Sequence, residues 1–450
     1  MTYDIQDICA SLGAGELARL IPVVADSAKE KRAVSVLLAS FMAVEEFGKS
    51  MLAVVGAPAS KRSRIRCLTE VSFKKGRHAE SLRPDGLIVA TVGRRVWRAI
   101  VEAKVGSSKL GPDQVEAYLD LAKENEFDAV ITISNQFAAL PTHHPIKVSG
   151  HKLRSVSLYH WSWMFLVSEA VLLNESKGIS DPDQAYILHE LIRYLDHPHS
   201  GVLHFNRMAP GWKEAWTAAR NDARLSRSDA SIIDTCASWH QLVRYLALRL
   251  SVSVGRNVSV YLSRAHKNNP DQRLQDAVRG LVKSYGLTVE FDILGAASRL
   301  ILTADLTRKT LTASMWLAAP DNKVRASACV TWVRNQLSEC EDGRIIVTAH
   351  YPRRAGSKGA TLAELREDQK ALVGDNPSLL PNWFEIRKTV DNATRFSGPK
   401  TFVEDAENLV LSFYRDVGQH LRPWHRPAPK MIEEPVAGDG NGDGEVHPEP

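Results

Sequence analysis

The stretch 83-RPDGLIVATVGRRVWRAIVEAKVGSSKLGPDQVEAY-118 decides how this chain is read. Asp85 stands just before a short apolar run, 87–89, and a second run that begins at Val96 closes on Glu102 and Lys104. Two strands joined through Gly93-Arg94-Arg95 would bring the far ends of these runs together. Side chains two apart on a strand share a face, so Glu102 and Lys104 point the same way. With Asp85 beside them, two carboxylates and an ammonium converge on one spot. The run Ala99-Ile100-Val101 leads directly into Glu102, as in a strand buried on both faces. Charges at the end of such a strand call for a functional reason, since burial disfavours them. Two hard oxygen ligands suit Mg²⁺, or Mn²⁺ in its place, and a nearby cation offsets negative charge developing on a phosphate.

The residues Pro84-Asp85 and Glu102-Ala103-Lys104, with the two acids 17 residues apart, resemble the signature of the PD-(D/E)XK nuclease superfamily. Gln114 and Tyr118, four apart on the predicted helix 113–124, resemble the Q-x-x-x-Y element that some of its branches carry. The resemblance covers about residues 34–165. It implies a restriction-endonuclease-like mixed central sheet flanked by helices. It further implies metal-dependent cleavage of DNA, with Asp85 and Glu102 as metal ligands and Lys104 acting at the water or the phosphorane. Gln114 and Tyr118 would support them. A further acid is expected from Glu45 or Glu46 on the first helix, or from Glu70 on the first strand. The alternative is a nuclease fold kept as a catalytically inactive nucleic-acid-binding or scaffolding module.

Around this centre the charge is uneven. The whole chain has a net charge of only +5, yet residues 61–109 hold thirteen Lys and Arg against four Asp and Glu. Such an excess fits a phosphate-binding groove, with Arg83, Arg94, Arg95 and Lys109 as the expected nucleic-acid contacts. The five cysteines are scattered and form no CxxC pair, so neither a disulfide framework nor a zinc ribbon is indicated. The amino terminus has no basic, apolar leader pattern, and no run of about eighteen apolar residues occurs, so the expectation is a cytoplasmic protein without a membrane span.

Outward from the motif, residues 14–57 read as helical from their apolar spacing, 64–73 as the first strand, 127–135 as a buried strand and 154–161 as the last strand of this unit. This sets an α/β domain over 1–165. A helical bridge follows over 166–226, with helices at 165–174, 182–195 and 210–220. A second, α+β domain is expected over 227–424, with helices at 229–250, 271–285, 324–339, 361–372 and 402–421. Its strands are expected at 257–262, 287–293, 298–306, 310–318 and 344–350. This second domain has no Gly-rich phosphate loop, no G-x-S-x-G and no HExxH. Its basic loop 353–359 could touch a phosphate backbone, and the domain is the natural place for a protein partner. A homodimer would suit cleavage of both strands. His143-His144 and the histidines at 197, 199 and 204 lack metal-ligand spacing. The tail 425–450 is rich in Pro, Gly and acids and reads as disordered; its Asp439-x-Asn441-x-Asp443-Gly444 lacks the twelfth-position Glu of a calcium loop.

Overall fold

The computed structural model describes residues 9–425 apart from 26, 75, 77–80, 176, 177, 222–224, 353, 354, 377 and 392. The tail from residue 426 onward and two arginines of the basic loop 353–359 therefore lie outside the described residues. The chain is mixed α/β with two sheets. The first holds six strands in the order β1-β2-β3-β4-β5-β6, the second seven in the order β12-β11-β13-β10-β9-β8-β7.

The first sheet comprises β1 (Leu12–Leu17), β2 (Arg64–Phe73), β3 (Gly86–Val92), β4 (Arg95–Ala103), β5 (Ala129–Ser134) and β6 (Ser157–Ser162). Strands β1 to β4 pair antiparallel, while β4, β5 and β6 run parallel. The switch is dictated by the connections. The β3–β4 hairpin turns through Gly93, whose φ of +58° opens a tight turn. The β4–β5 link is instead the crossover helix α3 (Pro112–Glu124), which starts with Pro at its first position. Strand β5 is buried at every position, matching its β-branched composition.

Residues 14–57 are not one helix. Gly13 and Gly15 disfavour helix, and 12–17 pair with β2 as an edge strand. Helix α1 (Lys29–Ala43) starts after Pro22 and stops at Val44, whose backbone is extended; α2 (Glu45–Val54) then follows in a new direction. Gly86, at the start of β3, lets α1 lie close to the sheet, since a side chain there would meet Leu38 and the Leu68 carbonyl.

Helices α4 (Trp163–Glu175), α5 (Pro182–Asp196) and α6 (Gly211–Arg220) link the two sheets. Asp181 caps α5 by accepting from the Asp183 and Gln184 amides. The long helix α7 (Ala230–Val254) is buried without a break from Leu242 to Leu248, so it sits between layers rather than on one. One continuous apolar core runs from α1 and α4 through α7 to the second sheet. A smaller one, with Leu87, Ile100, Val115 and Leu119, fills the space between the first sheet and α3.

The second sheet is antiparallel throughout. Its strands are β7 (Val258–Val260), β8 (Gly286–Ile293), β9 (Leu300–Asp305), β10 (Thr310–Ala318), β11 (Ile346–His350), β12 (Ser357–Thr361) and β13 (Trp383–Asp391). Between and after them come α8 (Arg264–Asn268), α9 (Pro270–Ser284), α10 (Ala326–Gln336), α11 (Leu362–Glu367), α12 (Ala393–Ser397) and α13 (Pro399–Asp416). Strands β12 and β13 were not expected, and β13 lies between β10 and β11 in the sheet. No helix among the described residues is long and apolar enough to cross a membrane.

Candidate active site

The register of the β3–β4 hairpin builds the site. Gly86 pairs with Val101, which sets Asp85 opposite Glu102. The Ala103 amide donates to Asp85 Oδ2 at 2.8 Å and fixes that carboxylate against the end of β4. Glu102 shares its face of β4 with Ile100, towards α3, and is only 2% exposed. Its Oε1 accepts from Lys104 Nζ at 2.6 Å and from Gln114 Nε2 at 2.8 Å. Its Oε2 is enclosed and has no hydrogen-bond partner. Thus the sequence-predicted Asp85, Glu102, Lys104 and Gln114 do come together. Tyr118, one helical turn beyond Gln114, is buried beside them, and burial followed by the Glu102 carboxylate raises its phenol and keeps it protonated.

A further acid is present that the sequence reading did not name. Glu30, in the first turn of α1, accepts from Lys104 Nζ at 3.1 Å through Oε1 and from the Val105 amide at 3.4 Å through Oε2. Glu30 precedes Val34 and Leu38 at intervals of four, so it extends the buried stripe of α1 by one turn. That stripe, followed back past Val34, was the signal in the sequence. The close seating of α1 at Gly86 carries Glu30 to the end of β4.

The other expected acids are elsewhere. Glu45 starts α2, binds Lys49 at 2.8 Å and lines a cavity with Ser63 and Arg64. Arg64 pairs with Thr91, five residues along β2 from the Thr69–Gly86 pair that flanks Asp85, about 17 Å away at strand rise. Glu46 follows Glu45 on α2, and neither acid forms a bond with Asp85, Glu102 or Lys104. Glu70 is nearer: it borders a cavity of about 70 Å³ that also touches Asp85. However, Glu70 is exposed, pairs with Lys31 at 2.9 Å, and sits in a β-bulge opposite Gly15 with φ +51°. The bulge explains its position better than ligation does.

The electrostatics of the cluster are those of an acid pair short of positive charge. Burial first, and the neighbouring Glu102 second, push the Asp85 carboxyl up to about 8. Burial alone would lower Lys104, but its bonds to Glu102 and Glu30 and the nearby Asp85 outweigh it and hold the ammonium above its ordinary value. Asp85 and Glu102 offer hard oxygens, and Glu102 Oε2 is a buried acceptor with nothing to accept. A divalent cation fits this pair. Among the described residues no three His, Cys, Asp or Glu side chains are arranged to hold a metal.

The same row continues across the sheet. Glu102 pairs with Thr132, and Thr132 with His160. His160 Nε2 lies 2.9 Å from the Gln136 carbonyl and must donate to it, so Nδ1 accepts from the Thr132 hydroxyl at 2.9 Å. Thr132 Oγ1 in turn accepts from His144 Nε2 at 2.7 Å. Both histidines are held neutral by burial, His160 down at about 3 and His144 at about 4. With His143 bonded to the Lys267 carbonyl at 2.8 Å, this pair is structural.

The expected nucleic-acid contacts divide by position. Arg83 and Lys109, both exposed, flank Asp85 and Lys104 in the chain. Arg94 and Arg95, also exposed, lie at the hairpin end, where Val92 pairs with Arg95. That is six residues of strand from the Gly86–Val101 pair, about 20 Å.

No family model, curated protein or solved structure matches this chain.

Proposed function

We propose that the chain is a metal-dependent nuclease of the PD-(D/E)XK type, with a restriction-endonuclease-like first domain, hydrolysing phosphodiester bonds of DNA. The observation that carries this reading is the convergence of Asp85, Glu102 and Lys104 at the end of β4, with Gln114 bonded to Glu102. The order of the first sheet supports it, because a hairpin followed by a helical crossover is what sets those three residues together. Asp85 and Glu102 would hold Mg²⁺ or Mn²⁺. Such an ion supplies Lewis-acid charge to a phosphate oxygen and acidifies a bound water. Gln114 fixes Glu102 through Oε1 and leaves Oε2 for the ion. Lys104 is held in its charged form by Glu102 and Glu30, so its part is to orient water and offset charge on the phosphorane rather than to take a proton. Arg83 and Lys109, exposed and near Asp85 and Lys104 in the chain, would steer the DNA backbone toward the site.

Five buried, unpaired cysteines support a reducing compartment such as the cytoplasm. A homodimer would provide the second site that cutting both strands requires, and the second domain would serve a protein partner or substrate choice.

The test is cleavage of supercoiled plasmid, linear duplex and single-stranded DNA by the parent and Asp85→Ala, with Mg²⁺, Mn²⁺ or EDTA. Metal-dependent cutting that the substitution abolishes is the expected result. Calorimetric titration with Mg²⁺ separates the rival: no cutting and no metal binding would leave an inactive nuclease-fold module.

A further inference from the structure

A cavity of about 460 Å³ lies in the second half of the chain, between α7, α9 and the β7–β8 edge. Its size is that of sites for small organic molecules. Trp239, Val260, Leu287 and Val289 give it apolar walls. Its charged groups are unequal. Two acids line it, and both are already satisfied. Asp276 is bonded to His266 Nε2 at 2.9 Å and to Arg279, and Glu290 to Arg299 at 2.9 Å. Arg273 on α9 also lines it, and its guanidinium has no hydrogen bond or ion pair among the described residues.

Nothing behind Arg273 compensates. The neighbouring cation is Arg244 on α7, which is 8% exposed, stacks on Phe165 at 5.4 Å and has an enclosed Nε without a partner. Its one acidic neighbour is Glu169. Burial, and then Arg244, pull Arg273 down to about 10. His240, also lining the cavity, is lowered by burial and then by Arg273 and His266. Arg273 is half-buried, so its unpaired guanidinium is open to a ligand from the cavity, and a planar, forked donor matches an oxyanion.

We propose that this cavity binds a small organic oxyanion, a phosphate or carboxylate, with its charged group on Arg273 and its body against Trp239 and the aliphatic wall. A molecule the size of a nucleoside monophosphate fits the volume. The arrangement combines an apolar wall, one unpaired cation, and acids that are engaged elsewhere and so do not compete.

Thermal melting of the full chain tests it, with inorganic phosphate, AMP, benzoate and adenosine as probes at millimolar concentration. AMP or benzoate is expected to raise the melting temperature by about 2 °C or more, with adenosine inert. A response to AMP and phosphate alone assigns the phosphate chemistry, and one to benzoate alone the carboxylate. The rise should vanish in Arg273→Gln. Arg273→Met, tested without any anion, should melt close to the parent, because the half-buried guanidinium has no hydrogen bond or ion pair to lose. Ala277→Phe, which fills the cavity and leaves the charges alone, should also abolish the rise and guards against a misfolded arginine variant. Equal rises in the parent and Arg273→Gln, or no rise with any anion, would overturn the proposal. Melting does not depend on DNA cleavage, so the outcome is independent of the nuclease reading.

Discussion

The end of β4 and the cavity beside α9 hold charge in opposite ways. At β4, three carboxylates surround one ammonium, and every charged group touches another of opposite sign or a backbone amide. Beside α9, one guanidinium faces an apolar space while the acids around it are bonded to other cations. The first site has an excess of acid, visible in the raised Asp85 and in the stranded Glu102 Oε2. The second has an excess of base. The imbalances have opposite signs, and the two proposals follow them: a divalent cation at one, an oxyanion at the other.

Lys104 makes the sharpest test of the first half of that comparison. Lys104→Ala should cut DNA cleavage by about 10³-fold or more. It should leave the far-ultraviolet dichroism unchanged, because the side chain lies beyond the last paired residue of β4. If the variant cuts as fast as the parent, the cluster is a structural ion pair and the comparison collapses to one site.

Glu30→Gln is the next largest. It keeps the side chain's shape and one acceptor, gives up either the bond from Lys104 or that from the Val105 amide, and removes one negative charge. We expect a loss of about tenfold in cleavage, with the same change at Glu45 having no comparable effect. A tenfold loss at Glu45 instead would show that α2, not the first turn of α1, supplies the extra acid.

The histidine row on the same sheet gives a contrast in pH. His160 and His144 are neutral in the fold but take up protons near their ordinary value once unfolded. Their contribution to stability is therefore complete above about pH 6.5 and is lost as pH falls from there towards 3 to 4, by a few kcal/mol at most. Denaturant melts from pH 7 to pH 4 should show that loss, and His160→Phe should flatten it. An equally steep loss in His160→Phe would assign the acid sensitivity to the carboxylates.

How much of this was legible follows from where the signal lay. Strands 64–73 and 86–103 were readable because alternation, a Gly hairpin and an apolar run all agreed, and agreement fixed the register that joins Asp85 to Glu102. Strand β1 was hidden by Gly13 and Gly15, which blur any period. Strand β13 was hidden by Glu385 and Arg387, and by Lys388 breaking the apolar alternation, although Phe384 and Ile386 on the face opposite Glu385 and Arg387 are fully buried. Glu30 was hidden because its stripe position meant nothing until the seating of α1 was known. Arg94 and Arg95 read as site residues because sequence distance from Asp85 is short, while a hairpin turns short separation into about 20 Å of space. Arg273 gave no signal at all: an arginine on a polar helix reads as surface until the absence of an acid beside it is seen.

Glu70 carries the smallest effect and the finest distinction. Its φ of +51° belongs to the left-handed region, which costs a non-glycine residue about 1 kcal/mol and which Asn tolerates better. Its pair with Lys31 is exposed on both sides and is worth little. Glu70→Asn should therefore change stability by less than about 1 kcal/mol, relief of strain offsetting the lost pair. Cleavage should stay within about twofold of the parent if the cavity between Glu70 and Asp85 is only the footprint of the bulge. A loss of tenfold at unchanged stability would mean that the bulge aims Glu70 at the metal, and the acid excess at β4 would then be larger by one.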